Sequence, residues 1–302
     1  MIRITGKWTN TKTFGGNTLN TLLERDMFRR EWKSVVFFLI LVTLPTFWVL
    51  LRPATRLQEI MGTIVAAIAI GLIGAWFVYR ERVPAGDIGL GGRSWIEGLG
   101  VFLVWWILVS IVDWLVPWAA GLFGITVTPL ESLEWSWITV LDWIRAWLFV
   151  GFAEEIAFRG YLHNKLIVAL GRRWPGMILA ALAFGLWHVP GSLIGGNTWA
   201  GASIQTLFFA AVSFLAFNLT YEWTGLLPFL ALFHGWSDFP LVLPLRASTT
   251  VGGFAGYLLI FVVLGAYKFW LERYLKGERF DEKNRALEGR HVDGPRFSNQ
   301  SR

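Results

Sequence analysis

The run GFAEEIAFRGYLH, Gly151 to His163, sets Glu154, Glu155 and Arg159 directly after a segment apolar enough to enter a membrane. A lone charge at bilayer depth costs at least about 2.5 kcal/mol, so such groups face a partner or a wet cavity. In a helix each residue advances about 100°, which brings Arg159 within roughly 40° of Glu155 and leaves it about 140° from Glu154. Arg159 therefore pairs with Glu155. Glu154 is left without a cation on its own helix, free to serve as a base or a ligand.

Two further hydrophobic stretches carry polar groups that a plain membrane span does not need: FGLWH, with Phe184 and His188, and FHGWSD, with His234 and Asp238. Each pair is spaced i, i+4 and shares a helical face. Their depths also agree. At 1.5 Å per residue, Glu154 lies roughly 24 Å before Leu170, His188 about 20 Å beyond Pro175, and His234 and Asp238 some 12 to 18 Å beyond Leu226. A carboxylate and two imidazoles at one depth can move a proton to or from a trapped water. Taken singly, either histidine could equally be a packed, hydrogen-bonded intramembrane residue.

The elements that must position these groups are membrane helices. The chain has 302 residues, 55% hydrophobic and 16% charged, with 19 Trp, and its apolar residues fall in long runs. The expected fold is all-α, a polytopic bundle of about eight transmembrane helices: 34–51, 59–79, 96–123, 137–170, 175–189, 203–221, 226–243 and 253–275. The polar groups place the active-site core in spans four to seven. Residues 1–33 read as a cytoplasmic polar tail with an interfacial helix or a disordered basic arm, 34–276 as the transmembrane domain, and 277–302 as a solvated, disordered tail that holds His291. Arg52-Pro53, Gly171, Pro190-Gly191 and Gly225 punctuate the apolar runs.

The formal charge of +6 follows membrane topology and not nucleic-acid affinity, because Lys and Arg sit in the tails and in alternate loops. Counting them puts both termini in the cytoplasm, with Arg52, Arg56 and Arg246 diluting the bias. A prokaryotic plasma membrane is the expected location, and no cleaved signal peptide is expected. With no Cys there is no thiolate chemistry. Trp105, Trp106, Trp114, Trp118, Trp135, Trp137, Trp143 and Trp147 are expected in lipid contact and packing, some as an interfacial belt. Asp142 and Arg145 are expected to form a local ion pair near the outer boundary, and His163 to hydrogen-bond near the cytoplasmic end.

EExxxR, FxxxH and HxxxD, in this order on consecutive hydrophobic segments, resemble the CPBP family of intramembrane proteases, also called the Abi or type II CAAX prenyl endopeptidase family. The resemblance covers about 141–243. It implies a membrane helical bundle whose polar cavity hydrolyses peptide bonds, with Glu154 matching the catalytic glutamate, Glu155 and Arg159 the rest of the first motif, and His188, His234 and Asp238 the remaining active-site residues. In the chemistry expected here Glu154 takes a proton from water that His234 positions, and His188 donates to the oxyanion. Glu155 and Arg159 hold the helix in register, and Phe184 packs on the site. No cofactor is required in this reading. A metal-dependent version would place a divalent ion such as zinc on Glu154, His188 and His234, although no HExxH helix is present. Asp238 stands where the prenyl endopeptidase branch typically has Asn, so it must be protonated, orient His234 or bind a metal. The implied partners are the lipid bilayer and a peptide or protein substrate, lipidated in one branch and bacteriocin-related in others. A non-catalytic scaffold or bacteriocin-immunity protein using the same cavity is the alternative.

Overall fold

The structure is a computed structural model, and it describes residues 31–51, 55–124, 135–243, 246–247, 252–270 and 273. The expected interfacial helix before residue 31, the Arg52-Pro53 break and the C-terminal tail with His291 lie outside these residues. Each proposed span is a helix: α1 Trp32–Leu50, α2 Arg56–Arg80, α3 Gly92–Leu122, α4 over 137–170, α5 Arg173–Trp187, α6 Trp199–Thr224, α7 Leu227–Asp238 and α8 Gly252–Trp270. Among the described residues, six helical segments are long and apolar enough to cross a membrane. The two outside that set are α4, which carries ionisable groups along its length, and α7, which has only 12 residues. The chain is an all-α polytopic helical bundle.

Punctuation sets the helix ends. Gly171 and Gly225 terminate α4 and α6 with φ of 61° and 66°, a left-handed cap that glycine adopts without steric cost. Helix α7 stops at Asp238, five residues short of the expected Leu243. Phe239, held extended at φ −138° by the following Pro240, cannot continue the helix. The chain then forms a two-residue strand, β1 Leu241–Val242, paired antiparallel with β2 Arg246–Ala247.

Helix α4 is the central post, packed on α2 along one side and on α7 along another. Small residues make these approaches close. A Cβ on Gly74 of α2 would stand 2.7 Å from Ala157 Cα of α4. Where α4 meets α7 the fit is reciprocal: a Cβ on Gly151 would lie 2.9 Å from Gly235 N, and one on Gly235 would lie 2.8 Å from Ala146 O. Backbones meet at such distances only where side chains are absent, the usual device for joining helices in lipid.

Of the tryptophans expected in lipid contact and packing, Trp105, Trp106 and Trp147 pack inside the bundle, while Trp114 stays half exposed and turns only its N–H inward. Trp105 is fully buried and donates to Gly256 O at 2.9 Å. Trp106 donates to Leu241 O at 2.6 Å, Trp114 to Leu243 O at 2.6 Å and Trp147 to Phe239 O at 3.0 Å. The segment after α7 leaves helical geometry with its carbonyls unpaired, and in an apolar surround the indole N–H groups satisfy them. Trp118 and Trp137 remain exposed, as a lipid-facing role requires.

Candidate active site

Glu154 and Glu155 fall where α4 departs from α-geometry. Gly151–Glu154 is α-helical, but Arg145–Val150 before it and Glu155–His163 after it are π-helical. The wider i→i+5 turns that concentrate at functional sites here lie on either side of Glu154, the second of them beginning at Glu155. The expected pair forms, with Arg159 Nη1 donating to Glu155 Oε1 at 2.9 Å. Arg159 also donates from Nη2 to Ser213 Oγ at 2.7 Å. Its guanidinium lies between the rings of Phe184 and Phe217, 4.6 and 4.7 Å from their centroids. A buried arginine is thereby held by one carboxylate, one hydroxyl and two π faces.

Histidine 234 of α7 links the two glutamates. Its Nδ1 lies 2.7 Å from Glu155 Oε1, and its Nε2 lies 3.5 Å from Glu154 Oε2 and 4.0 Å from Asp238 Oδ1. A carboxylate oxygen only accepts, so Nδ1 carries the proton on the Glu155 side and Nε2 is turned to Glu154. Glu154 Oε2 is buried, with no hydrogen-bond partner among the described residues. Both side chains line the cavity, so a water there can bridge the carboxylate and the imidazole at ordinary distances of about 2.8 Å.

His188 lies at the very end of the helical face it was expected to share with Phe184. Helix α5 ends at Trp187, and His188 forms the joint to a short helix, Val189–Ile194. Its Nδ1 lies 2.8 Å from Phe184 O, an acceptor, so Nδ1 again carries the proton. The ring sits among Phe184, Trp187 and Phe209, at centroid distances of 4.7, 4.9 and 4.6 Å. Glu154, His188, His234, Asp238 and Phe184 all line one cavity of about 770 Å³. Glu155 and Arg159 lie behind it, and Phe184 touches both groups, as a packing residue should.

Arg145, Ser237 and Tyr257 line the same cavity, and the sequence reading gave none of them a place there. Arg145 forms the expected pair with Asp142, Nε to Oδ1 at 2.6 Å. Asp142 also receives Arg56 from the start of α2, so the pair is part of a chain of charges at the cavity rim. Tyr257 reaches the cavity from α8 and meets Ser237 by a hydroxyl–hydroxyl hydrogen bond. His163 Nε2 lies 2.7 Å from Glu222 Oε1, away from the cavity, in line with its expected local role. Among the described residues no three His, Asp or Glu side chains are arranged to hold a metal ion.

No curated protein and no solved structure matches the chain. Residues 135–240 match the family model described as type II CAAX prenyl endopeptidase Rce1-like. The matched stretch holds Glu154, Glu155, Arg159, His188, His234 and Asp238 and excludes α1–α3 and α8. With those residues gathered behind and around one cavity, the site-bearing third of the chain is consistent with the CPBP family of intramembrane endopeptidases.

Proposed function

We propose that the chain is an intramembrane endopeptidase that hydrolyses a peptide bond of a membrane-associated protein or peptide, with Glu154 as general base. The observation that carries this reading is the 3.5 Å approach of Glu154 Oε2 to His234 Nε2 inside the cavity. A water in the cavity beside them gives one proton to Glu154 while its oxygen attacks the carbonyl carbon of the substrate. His234, held by Glu155, fixes the direction of attack. His188 presents Nε2 from a ring whose Nδ1 proton is committed to Phe184 O, so in the neutral ring Nε2 accepts, and it donates to the oxyanion only after taking up a second proton from the water-filled cavity. Glu154 then returns its proton to the leaving amine. Asp238, within reach of His234 Nε2, steadies the ring or a second water. The chemistry uses side chains and water alone.

Glu154→Gln tests the reading. The amide keeps the shape but cannot take the proton, so cleavage should fall by roughly 10²–10⁴-fold while thermal unfolding in detergent stays unchanged. Comparative peptidomics of membranes from wild-type and Glu154→Gln cells should show uncleaved precursors accumulating in the variant. Identical peptide profiles would remove Glu154 as the base.

A further inference from the structure

We infer that the cavity opens on the non-cytoplasmic side of the membrane, so that the substrate is a polypeptide segment exposed at that face and not a cytoplasmic tail. The chemistry rests on the endopeptidase reading; the sidedness does not. All the helices that line the cavity contribute to it from the same end of the bundle. Leu50 lies at the end of α1, Thr63 two turns into α2, Arg145 early in α4, Asn197 between α5 and α6, Asp238 at the end of α7, and Tyr257 early in α8.

The opposite end is sealed. Moving away from Glu154 along α4, Arg159 fills the space between Phe184 and Phe217. Beyond it His163 meets Glu222, and Asn164 donates to Tyr221 Oη at 3.1 Å. Arg159, His163, Asn164, Tyr221 and Glu222 are buried or half-buried and do not line the cavity, so that end is filled by protein.

The sealed end is also the basic one. Arg80, Arg82 and Arg93 join α2 to α3, and Lys165, Arg172 and Arg173 flank the turn from α4 to α5. Lys33 in the first turn of α1, which follows the arginines at 25, 29 and 30 in the sequence, and Lys268 late in α8 lie at that end too. At the mouth, the α5–α6 connection has no Lys or Arg, and Arg56 and Arg145 are the cations among the described side chains; the α1–α2 and α7–α8 connections add only Arg52 and Arg246 in the sequence. Lys and Arg in short loops, counted as residues and not as net charge, mark the cytoplasmic side. The mouth therefore faces away from the cytoplasm. The scissile bond enters from a translocated segment or from the outer juxtamembrane stretch of a membrane-anchored protein.

The absence of cysteine allows a labelling test without background. Ala200→Cys marks the mouth, in the exposed first turn of α6, and Ala85→Cys marks the exposed loop after α2; neither position touches the site. The full-length variants, expressed in spheroplasts, are treated with a membrane-impermeant maleimide, then permeabilised and exposed to a fluorescent maleimide. Ala200→Cys should lose most of its later fluorescence, and Ala85→Cys should retain it. The reverse pattern, or partial blocking at both positions, overturns the inference. The labelling reads sidedness without cleavage, and Glu154→Gln reads cleavage without sidedness, so either reading can fail alone.

Discussion

Glu155 serves two partners with one oxygen, since Oε1 meets both Arg159 Nη1 at 2.9 Å and His234 Nδ1 at 2.7 Å. Glu155→Gln weakens both links and lets the imidazole turn, so turnover should fall on the order of tenfold to a hundredfold with KM little changed, as steady-state kinetics would show. Arg159→Met strands a buried carboxylate. It should cost about 3–5 kcal/mol in detergent unfolding midpoints, and Arg159→Lys should recover little of that because an ammonium cannot lie between Phe184 and Phe217 as a flat guanidinium does. His188→Gln keeps an N–H near the position of Nε2 and should hold more activity than His188→Ala. Asp238→Asn separates a hydrogen-bonding role, which survives the change, from one that needs the charge. At this scale the Glu155–Arg159 pair was legible, because i, i+4 spacing brings ends together in an α- or a π-turn alike. Ser213 and Phe217 were not, because nothing in SFLAFN distinguishes a residue that receives Arg159 from ordinary lining.

Each helix was visible from its apolar run, and most ends from a glycine or proline. The two π-helical stretches of α4 were not, since a wider turn leaves the pattern of side-chain polarity almost unchanged. Nor did the count of tryptophans reveal which indoles face inward; that depends on the unpaired carbonyls of Phe239, Leu241 and Leu243, which exist because α7 stops at Pro240. Trp106→Phe removes one of these hydrogen bonds and should lower stability by about 1 kcal/mol in the same unfolding assay. Gly235→Ala acts on the contact of α7 with α4. Its added methyl meets Ala146 O at 2.8 Å, so it should destabilise by roughly 1–3 kcal/mol and also depress turnover, because His234 is the adjacent residue.

Across the molecule, the depth arithmetic on three motifs agrees with the single cavity that Glu154, His188 and His234 line, because α4 and α5 are joined by the short turn at Gly171 and α7 starts from the equally short turn at Gly225. It could not supply the walls: Tyr257 enters from α8, far from any motif, and Arg145 had been read as half of a boundary ion pair. A mechanism that uses water and side chains predicts that extended dialysis against a chelator leaves both cleavage rate and unfolding midpoint unchanged; loss of activity restored by added zinc would replace it with metal chemistry. The reciprocal seating of Gly151 and Gly235 carries a consequence for motion. Two backbones in contact cannot slide or tilt without colliding, so the acid and the imidazole ride on one stiff block. Any breathing that admits a polypeptide must then come from a wall that lacks such a lock, the end of α1, since α6 is itself seated on Gly185 of α5; stiffening that wall should slow entry of the chain while leaving the chemistry of an already bound one untouched.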